Sequence, residues 1–582
     1  MLALALLLAP PSLPQSLQET AQEEPPTQPY RTRITPTGDA ALDALLRSTS
    51  NLVALQDVAP TDAEGIAARI AAEPERLRPV LDSQGYWAGH IAIARNGEEV
   101  VIEITPGPRY TLRHITVTGE PAPDLAPGAP ARADDVLAAE AALLARLRRD
   151  AHPLAAITRQ VTVDHPAQAM DIAFTVTPGP RADFAEPVVT GTERVNPEVV
   201  RRVAALRLAE QSYSPERLAR ARADVAALGP FASVRMEPGT ALDAKGRLPV
   251  TVHVQERPFR VLSANAAYET NYGASVRFGW QHRNLLGGAE NLRVELEASR
   301  IGTDPNLLNA RAAVTWRQPL PWGWDGMLVG GPSLVRDRLE SYDRNAFIFN
   351  LAYERRLGDR WTLTTGPVAE IGESAPAGLP LTPYQLAGWA FGARFDSTDS
   401  LLDPRGGIRA QGSVTPSYAF QASTAYLPLR ITGSTYVDVT GDGRSILALR
   451  GTLGSLVNTT AENVPPSQRF YAGGGGSVRG YDYQSIGPRT AQGKPAGGAS
   501  LLEGSIEWRQ RFGESYGAVA FVDVGAVGTQ SFAPTDELRV GAGLGFRYYT
   551  AIGPIRADIA VPLVRQQGSG AFGFYIGIGQ SF

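Results

Sequence analysis

The stretch SLLEGSIEWRQRF, Ser500–Phe512, alternates between two chemically different faces. One face carries the polar and charged side chains Glu503, Ser505, Glu507, Arg509 and Arg511, and the other carries Leu502, Ile506, Trp508 and Phe512. Successive side chains of a β-strand point to opposite sides of the sheet. The pattern therefore predicts a strand that has water on one side and hydrocarbon on the other.

Segments of this kind fill the chain from Phe259 to Phe582, and turns such as Leu357-Gly358-Asp359 separate them. A soluble sandwich also alternates, but it hides its apolar face and seldom spreads so many strands over one uninterrupted tract. A transmembrane barrel needs segments of about 9 to 11 residues, usually in an even number. At roughly 20 residues per strand and connection, the tract predicts an all-β, antiparallel transmembrane barrel of about 16 strands.

Three similar segments mark repeats in the part of the chain before this tract. They are VVIEITPGPRYTL (Val100–Leu112), DIAFTVTPGPRADF (Asp171–Phe184) and PVTVHVQERPFRVL (Pro249–Leu262), spaced by about 75 residues. Each contains an alternating strand that ends at a proline-containing turn. In the last repeat, Asn196-Pro197 and Ser214-Pro215 each provide an N-cap followed by proline at the first helical position. The pattern predicts three α+β repeats of the order strand, helix, helix, strand, strand (βααββ).

A short apolar run opens the chain. MLALALLLA, Met1–Ala9, is too short to span a bilayer but matches the apolar core of a secretory signal, although no positively charged segment precedes it. The Pro/Gln/Glu-rich stretch that follows is typical of a disordered lead-in. The predicted boundaries are a signal peptide and lead-in over 1–29, repeats over 30–108, 109–181 and 182–258, and a barrel over 259–582.

The composition argues against several classes of function. The chain has no cysteine, which excludes disulfide scaffolds, thiolate metal sites and thiol nucleophiles. Its six histidines are scattered without ligand spacing, and a formal net charge of -4 offers no basic surface for nucleic acid. No Gly-x-Ser-x-Gly elbow is present. Asp396, Asp399 and Asp403 lack the regular carboxylate alternation of a calcium loop. We therefore expect no catalysis, no metal and no cofactor.

One glycine-rich string lies between two strand-like segments. It reads GGGGSVRGYDYQSIGP, Gly473–Pro488, and its glycines permit a tight, inward-folded path, although a glycine-rich loop is more often solvent-facing. The string resembles the VRGY loop of the BamA/TamA superfamily of outer-membrane assembly factors, and its TamA branch in particular. The three repeats resemble the POTRA domains of that family. The segments Gly541–Leu563 and Phe395–Ala410 are similar to its barrel strands, so the resemblance covers nearly the whole chain.

The resemblance implies a specific arrangement for this loop. The motif Val478-Arg479-Gly480-Tyr481 is expected inside the barrel, with Arg479 held by acidic groups of the inner wall. Glu507, on the charged face described above, and Asp523 occupy positions that match the family pattern. Guanidinium and carboxylate form a planar two-point pair that suits a confined lumen. Asp523 shares its predicted face with Phe521, and the alternative for each acid is an ordinary solvated lumenal group.

The last predicted strand, AFGFYIGIGQSF, has glycine on one face and apolar side chains on the other. The apolar set is Phe572, Phe574, Ile576, Ile578 and Phe582. Glycine weakens a strand, and the resemblance implies a seam between first and last strands that opens sideways, with Gly573, Gly577 and Gly579 in the seam strand. Tight packing against the loop explains these glycines equally well. Phe582 fits the aromatic end of a barrel-targeting signal, whereas Gln580 stands where a hydrophobe is usual.

The function that the resemblance implies is assembly or translocation of other polypeptides at the bacterial outer membrane, with the POTRA repeats in the periplasm. The implied partners are a TamB-like protein anchored in the inner membrane, unfolded outer-membrane or autotransporter clients, and outer-membrane lipid. Exposed sheet edges of the repeats suit pairing with extended chains, and the alternative is a rigid spacer. Movement of phospholipid is a second possible role of the partnership. The rivals are a two-partner secretion pore, which usually has two POTRA domains, and a passive porin.

Overall fold

The computed structural model describes residues 28–119, 121–269, 273–301, 305–533, 537–551, 553–565 and 570–582. The predicted signal and most of the lead-in therefore lie outside the described residues. The chain divides into two compact units. The first unit contains the chain up to Thr190 together with Ala204–Asp224 and Arg235–His253. The second unit contains Gly191–Val203, Val225–Val234 and Val254–Phe582.

The first repeat combines helices with a three-stranded sheet. Its elements are β1 (Arg31–Ile34), α1 (Ala40–Thr49), α2 (Asn51–Ala54), α3 (Ala63–Ser83), β2 (His90–Asn96) and β3 (Glu99–Thr105). The sheet order is β1-β3-β2, with β1 parallel and β2 antiparallel to β3. Asp39 and Asp62 cap α1 and α3 by accepting backbone N–H bonds. Leu46, Leu77 and Ile102 are fully buried in the core of this repeat.

The second repeat differs from the predicted order. Its elements are β4 (Thr111–Thr118), α4 (Ala133–Arg149), β5 (Ala156–Asp164) and β6 (Ala169–Thr177), in the sheet order β4-β6-β5. Its described residues contain one helix, so the prediction of two helices is wrong here. The stretch 121–130, PAPDLAPGAP, occupies the place of the first helix. Its four prolines remove backbone donors and clash with a helical path, which explains the loss.

The third repeat follows the predicted order. Its elements are β7 (Val188–Thr190), α5 (Pro197–Leu208), α6 (Pro215–Ala227), β8 (Phe231–Pro238) and β9 (Val250–Glu256), in the sheet order β7-β9-β8. Both helices begin at the prolines that the sequence marked. Proline is tolerated there because the first helical N–H has no partner within the helix.

An arginine lies in the turn that ends each repeat. Nε of Arg109, Arg181 and Arg257 donates to the carbonyl oxygens of Gln84, Asp150 and Gly229 at 3.0, 3.1 and 2.8 Å. Each acceptor lies just past the last helix of its repeat, where carbonyl groups have no helical partner. The recurring Pro-Arg and Arg-Pro turns of the sequence thus tie the end of each sheet to the end of a helix.

The rest of the described chain forms one antiparallel sheet in sequential order. Its strands are β10 (Arg260–Glu269), β11 (Gly273–His282), β12 (Asn291–Ile301), β13 (Asn309–Pro319), β14 (Met327–Arg338), β15 (Tyr342–Leu357), β16 (Trp361–Pro376), β17 (Thr382–Asp396), β18 (Gly407–Val414), β19 (Ser417–Ala419), β20 (Thr424–Asp438), β21 (Ser445–Val457), β22 (Ser500–Phe512), β23 (Tyr516–Gly528), β24 (Arg539–Thr550), β25 (Gly553–Pro562) and β26 (Gly573–Ile578). Both β18 and β19 pair with β17 and β20, so they are two parts of one strand interrupted at Pro416. The 17 segments described therefore make the predicted 16 strands, and the fold class is confirmed.

The two faces of the sheet differ as the alternation predicted. In β22, Glu503, Ser505 and Glu507 are buried on the inner face, while Ile506 and Trp508 are 55% and 44% exposed on the outer face. The outer face of the other strands is also apolar, with exposed Leu296, Leu334, Phe347, Ile371, Ile431, Leu453, Leu544 and Ile576. We call the end at which β10 begins the proximal end and the opposite one the distal end. Among the described residues, no helix has the length and apolar character needed to cross a bilayer.

Within the second compact unit, residues 194–196 contact the proximal end of the barrel. The N–H of Asn196 donates to the carbonyl oxygen of Gly287 at 2.7 Å, and Nδ2 of Asn284 donates to that of Arg194 at 3.0 Å. Gly287 and Asn284 lie in the turn between β11 and β12. The turn between β11 and β12 is therefore hydrogen-bonded to the residues that precede α5.

The sheet has a weak end at β26. This last strand has six residues and pairs with β25 from Ile555–Ile578 to Ala560–Gly573. Among the residues that the structure describes, no backbone ladder joins β26 to β10. The first and last strands are thus the two edges of the described sheet.

Candidate functional site: a loop anchored inside the barrel

The distal connection between β21 and β22, residues 458–499, folds into the barrel, and we call it the lumenal loop. Phe470 and Gly498 exchange backbone hydrogen bonds of 2.9 Å at its base. Gly473 and Gly474 have φ values of +109° and +99°, a conformation that side chains disfavour. The apolar residues of the loop pack on the inner wall in one cluster of buried residues, which includes Val464, Phe470, Val478, Tyr481, Ile486, Tyr384, Leu386 and Tyr426. The loop is therefore packed inside the lumen and is not free in solvent.

Arg479 is the centre of the loop's attachment and is 2% exposed. Its Nε and Nη2 donate to Oδ2 and Oδ1 of Asp523 at 2.7 and 2.9 Å, and its backbone N–H donates to the same carboxylate at 3.0 Å. Nη1 lies 2.7 Å from Oε1 of Glu507 and 3.4 Å from Oδ2 of Asp558. The hydroxyl of Ser505 donates to Oδ1 of Asp523 at 2.6 Å. The two acids named from the sequence and a third one thus surround one guanidinium.

Phe521 accounts for the mixed face that made Asp523 ambiguous in the sequence. Its ring centre lies 3.4 Å from Cζ of Arg479, and its side chain is buried on the inner wall. A guanidinium stacked on an aromatic face is attracted by the ring's quadrupole, more strongly when water is excluded. The aromatic residue therefore covers one side of Arg479 while the neighbouring carboxylate pairs with its edge.

Asp558 on β25 is a part of this site that the sequence did not indicate to us. It is fully buried between Arg479 and Arg547, whose Nη1 pairs with its Oδ1. Arg509 pairs with Glu507 at 2.9 Å. The sequence does contain an indication of the inward position of Asp558. In PIRADIAVP, 554–562, Arg556 and Asp558 share one face between apolar neighbours. Arginine on both sides of these acids balances their charge, which buried carboxylates require.

Glycines on the wall and in the loop allow the two to approach closely. A Cβ added at Gly541 would lie 2.0 Å from the carbonyl oxygen of Arg479, and one at Gly525 would lie 2.5 Å from a methyl group of Val478. Gly480 has a φ of +97°, and its added Cβ would lie 2.8 Å from the carbonyl carbon of Val561. These contacts are far below van der Waals distance. The loop therefore fits only because the wall lacks side chains at Gly541 and Gly525 and the loop itself lacks one at Gly480.

The motif also reaches the last strand. The N–H of Gly480 donates to the hydroxyl of Tyr575 in β26 at 3.0 Å. The hydroxyl of Tyr481 donates to the carbonyl oxygen of Val564 at 2.6 Å and lies 3.1 Å from that of Val540. Val478, Arg479, Gly480 and Tyr481 are all buried. The VRGY motif is thus in contact with β24, β25 and β26 at once.

A second attachment holds the other side of the lumenal loop. Nε2 of Gln468 donates to Oε2 of Glu370 on β16 at 3.0 Å, and Nη1 of Arg344 on β15 donates to Oε1 of that carboxylate at the same distance. The rings of Tyr342 and Tyr471 lie 5.9 Å apart. The loop is consequently fixed to two separate parts of the inner wall.

The seam residues have different surroundings. Gly573 and Gly577 lie on the inner face of β26, where an added Cβ would meet the hydroxyl of Tyr575 at 2.4 Å and Nε of Arg556 at 3.1 Å. Both glycines thus leave room for side chains of the wall itself, on β26 and β25, and none of the atoms next to their added Cβ belongs to the lumenal loop. Gly579 follows the strand with a φ of +86°.

The prediction that Phe582 shares the outer apolar face is wrong. β26 ends at Ile578, and Gly579 redirects the chain towards the lumen. The ring of Phe582 packs on the buried Tyr436 of the inner wall, and Cζ of Arg509 lies 5.2 Å from its centre. The positive φ at glycine ends the alternation, so counting by two from Phe574 gives the wrong face.

The three aspartates of the turn between β17 and β18 serve the turn itself. Oδ1 of Asp399 accepts the N–H groups of Arg405 and Gly406 at 2.9 and 3.3 Å. Asp396 pairs with Arg409, and Asp403 lies 3.6 Å from Arg405. Within the described ranges, no cluster of His, Asp or Glu has the arrangement of a metal site. We call residues 397–406 the proximal turn.

A 16-stranded barrel that follows three small α+β repeats and holds an arginine-bearing loop in its lumen defines a class of outer-membrane protein. The chain belongs to the Omp85 superfamily, since the model of the Omp85 superfamily domain matches residues 284–582. The barrel lies in the outer membrane and the repeats in the periplasm. The proximal end is therefore the periplasmic end, and the lumenal loop enters from outside the cell.

Known relatives and structures have low sequence identity to this chain. The outer membrane protein assembly factor BamA of Neorickettsia risticii is 23% identical over 404 residues, which are 65% of this chain and 52% of that protein. The chloroplastic outer envelope protein 80 of Arabidopsis thaliana is 26% identical over 392 residues, 61% of this chain and 50% of that protein. The chain thus spans about half the length of these curated relatives.

A solved structure supports the fold. BamA from Haemophilus ducreyi lacking POTRA domains 1–3 has a TM-score of 0.62 and 16% sequence identity, and the match covers 80% of this chain and 99% of that one. At this level of identity the likeness supports the fold alone.

Proposed function

We propose that this protein assembles or translocates other polypeptides at the outer membrane, as a TamA-like member of its superfamily. Its clients are unfolded outer-membrane proteins such as autotransporters, and it works with a TamB-like partner that spans the periplasm. The repeats bind the partner or client, and the seam between β10 and β26 opens to release strands into the membrane. The proposal involves no catalytic step and no cofactor.

The contact between the VRGY motif and the last strand carries this proposal. The Arg479 cluster fixes the loop to β22, β23 and β25, and the N–H of Gly480 reaches Tyr575 on β26. β26 is the shortest complete strand of the described barrel sheet and has a single neighbour. A loop that touches the weakest strand is in a position to control whether that strand stays in the sheet. A passive porin has no need of such a contact.

The sheet edges of the repeats support a role in binding extended chains. β2, β5 and β8 each end a three-stranded sheet, and most residues of β5 are exposed. An edge strand has unpaired backbone donors and acceptors with which another chain can pair. The alternative is that the repeats act only as a rigid spacer.

A pull-down of the exported, full-length protein from its own membranes tests the proposed function. Recovery of a large TamB-like partner, together with loss of autotransporter assembly when the gene is deleted, is the expected result. Recovery of a dedicated, secreted filamentous protein would identify a two-partner secretion pore instead. Normal assembly of outer-membrane proteins with a changed phospholipid content would favour the lipid role.

The role of the repeats can be separated by a matched pair of variants. Val161→Lys puts a charge on the exposed edge strand β5, which disfavours strand addition. Leu137→Lys puts the same charge on an exposed position of α4 and is the control. We expect reduced recovery of the partner or client with Val161→Lys alone. Equal recovery with both variants would favour the spacer.

A further inference from the structure

The proximal turn reaches the residues that follow the last strand. The N–H of Gln580 donates to the carbonyl oxygen of Leu402 at 2.9 Å, and its Nε2 donates to Oδ1 of Asp403 at the same distance. Leu402 also lies against Gly553 and Gly579, where an added Cβ would be 3.3 Å from its side chain. In the order of the sheet, β17 and β18 are far from β26. The turn therefore crosses the periplasmic end of the lumen.

Internal bonds give the proximal turn a defined shape. Asp399 accepts two backbone N–H groups, and the hydroxyl of Ser400 accepts the N–H of Asp403 at 3.1 Å. Nη2 of Arg409 donates to the hydroxyl of Thr398 at 3.0 Å. These bonds occupy the short polar side chains of the turn and present Leu402 and Asp403 to the seam.

Gln580 also connects the proximal turn to the Arg479 cluster. Its Oε1 accepts from Nε of Arg547 at 2.8 Å, and Arg547 pairs with Asp558, which lies 3.4 Å from Nη1 of Arg479. A polar chain thus runs from the lumenal loop through Asp558, Arg547 and Gln580 to Asp403. An apolar side chain at this position would have no group with which to join an arginine to an aspartate. An amide has both a donor and an acceptor.

We propose that the proximal turn is a latch that holds residues 579–582, and with them the periplasmic end of β26, inside the lumen. Gln580 is the positioning residue through which the latch and the lumenal loop are joined. Opening of the seam requires release of Leu402 and Asp403 from Gly579 and Gln580. This consequence for the seam rests on the proposed function, whereas the latch contact itself does not.

The full-length protein permits a direct cross-linking test because it contains no cysteine. The Cβ of Leu402 lies 3.7 Å from a Cβ built at Gly579, within the usual range of a disulfide. We expect the pair Leu402→Cys/Gly579→Cys to form a bond under mild oxidation. The control pair Leu401→Cys/Gly579→Cys uses the neighbouring side chain, which is 72% exposed, and should react far more slowly. The heat-dependent gel mobility of a folded barrel verifies that both proteins are inserted.

Gln580→Leu tests the link without cysteine at Gly579. A second pair, Leu402→Cys/Gly553→Cys, reports the position of the turn in that variant. Loss of the amide's bonds to Arg547 and Asp403 should lower the cross-linking rate about tenfold. An unchanged rate would contradict the role of Gln580.

Client assembly measured with the Leu402→Cys/Gly579→Cys protein completes the test. The oxidised protein should lose assembly and regain it on reduction. Equal cross-linking by the Leu402 and Leu401 pairs, or full assembly by the oxidised protein, would overturn the latch. If deletion of the gene leaves assembly unchanged, the proposed function fails, and the cross-linking rates alone then decide whether the latch contact exists.

Discussion

Two arginine clusters of similar composition lie in very different surroundings in this protein. In the second repeat, Arg113 donates to Asp171 through Nε and Nη2 and pairs with Asp164 at 2.8 Å. All three side chains are about one third exposed. In the barrel, Arg479 makes the same two-point contact with Asp523 but is 2% exposed and faces two further carboxylates. The pairs differ in burial, not in chemistry.

This difference decides what each cluster does. An exposed ion pair contributes little, because water solvates both partners when the pair is broken. A buried pair also gains little over an apolar one, but loss of one partner leaves the other charge without water. We therefore expect loss of a partner in the Arg113 cluster to have little effect, and loss of Arg479 to release the loop.

Arg479→Ala should release the lumenal loop. Three buried carboxylates lose their common partner, and breaking a buried pair in this way costs about 3–5 kcal/mol. We expect the barrel to insert, because its strand pairing is untouched, and function to be lost. Complementation of a deletion strain and protease sensitivity of residues 458–499 are the measurements. Arg479→Lys is the matched control, and it should restore function only weakly because an ammonium lacks the planar fork that contacts Asp523. Normal complementation by the alanine variant would contradict this account.

Gly541→Ala tests the fit of the loop without removing a charge. The new methyl group would lie 2.0 Å from the carbonyl oxygen of Arg479, and overpacking of this kind costs about 1–3 kcal/mol. We expect partial release of the loop, again measured by protease sensitivity. Gly433→Ala in β20 is the control, since an added Cβ there meets nothing within 4 Å. Equal protease sensitivity of the two variants would show that the close approach is unimportant.

Phe521→Leu should have a smaller effect on the same loop. Leucine keeps an apolar side chain on the wall but removes the ring that stacks on Arg479, an interaction of about 2 kcal/mol when shielded from water. The loop should stay bound at moderate temperature and be released at a lower temperature than in the native protein. Temperature-dependent proteolysis measures this shift. Release at the same temperature as in the native protein would mean that the ring contributes only its volume.

Asp171→Asn in the second repeat should have the smallest effect. Hydrogen bonds from Arg113 lower the pKa of the Asp171 carboxyl below its usual range, so its contribution to stability is present at neutral pH. That contribution declines as the pH falls below about 4, the ordinary value for aspartate, towards the lowered pKa of the folded state. Hydrogen exchange of β4 and β6 in the full-length protein should rise slightly at neutral pH in the variant. The difference in exchange between the variant and the native protein should become smaller at acidic pH. A large increase in exchange at neutral pH would show that the exposed cluster contributes as much as a buried one.

The sequence predicted the parts of this molecule that depend on local periodicity. The alternation of β22 assigned Glu507 to the inner face, and Asn196-Pro197 and Ser214-Pro215 located two helix starts. Asp558 was missed because its partner Arg479 is 79 residues away, and no local pattern encodes a contact across a lumen. The inward path of Phe582 depends on a positive φ at Gly579, which overrides the alternation. The missing helix of the second repeat follows from prolines that the repeat pattern had obscured.

The Arg479 cluster keeps the VRGY motif buried within the lumen. Because the chain has no cysteine, labelling of Val478→Cys with a membrane-impermeant maleimide measures this burial without interference. Val478 is fully buried, while Gly476, two residues earlier, is exposed. We expect Gly476→Cys to be labelled, Val478→Cys to be protected, and the addition of Arg479→Ala to abolish the protection. Labelling of Val478→Cys as fast as Gly476→Cys with Arg479 intact would contradict this expectation.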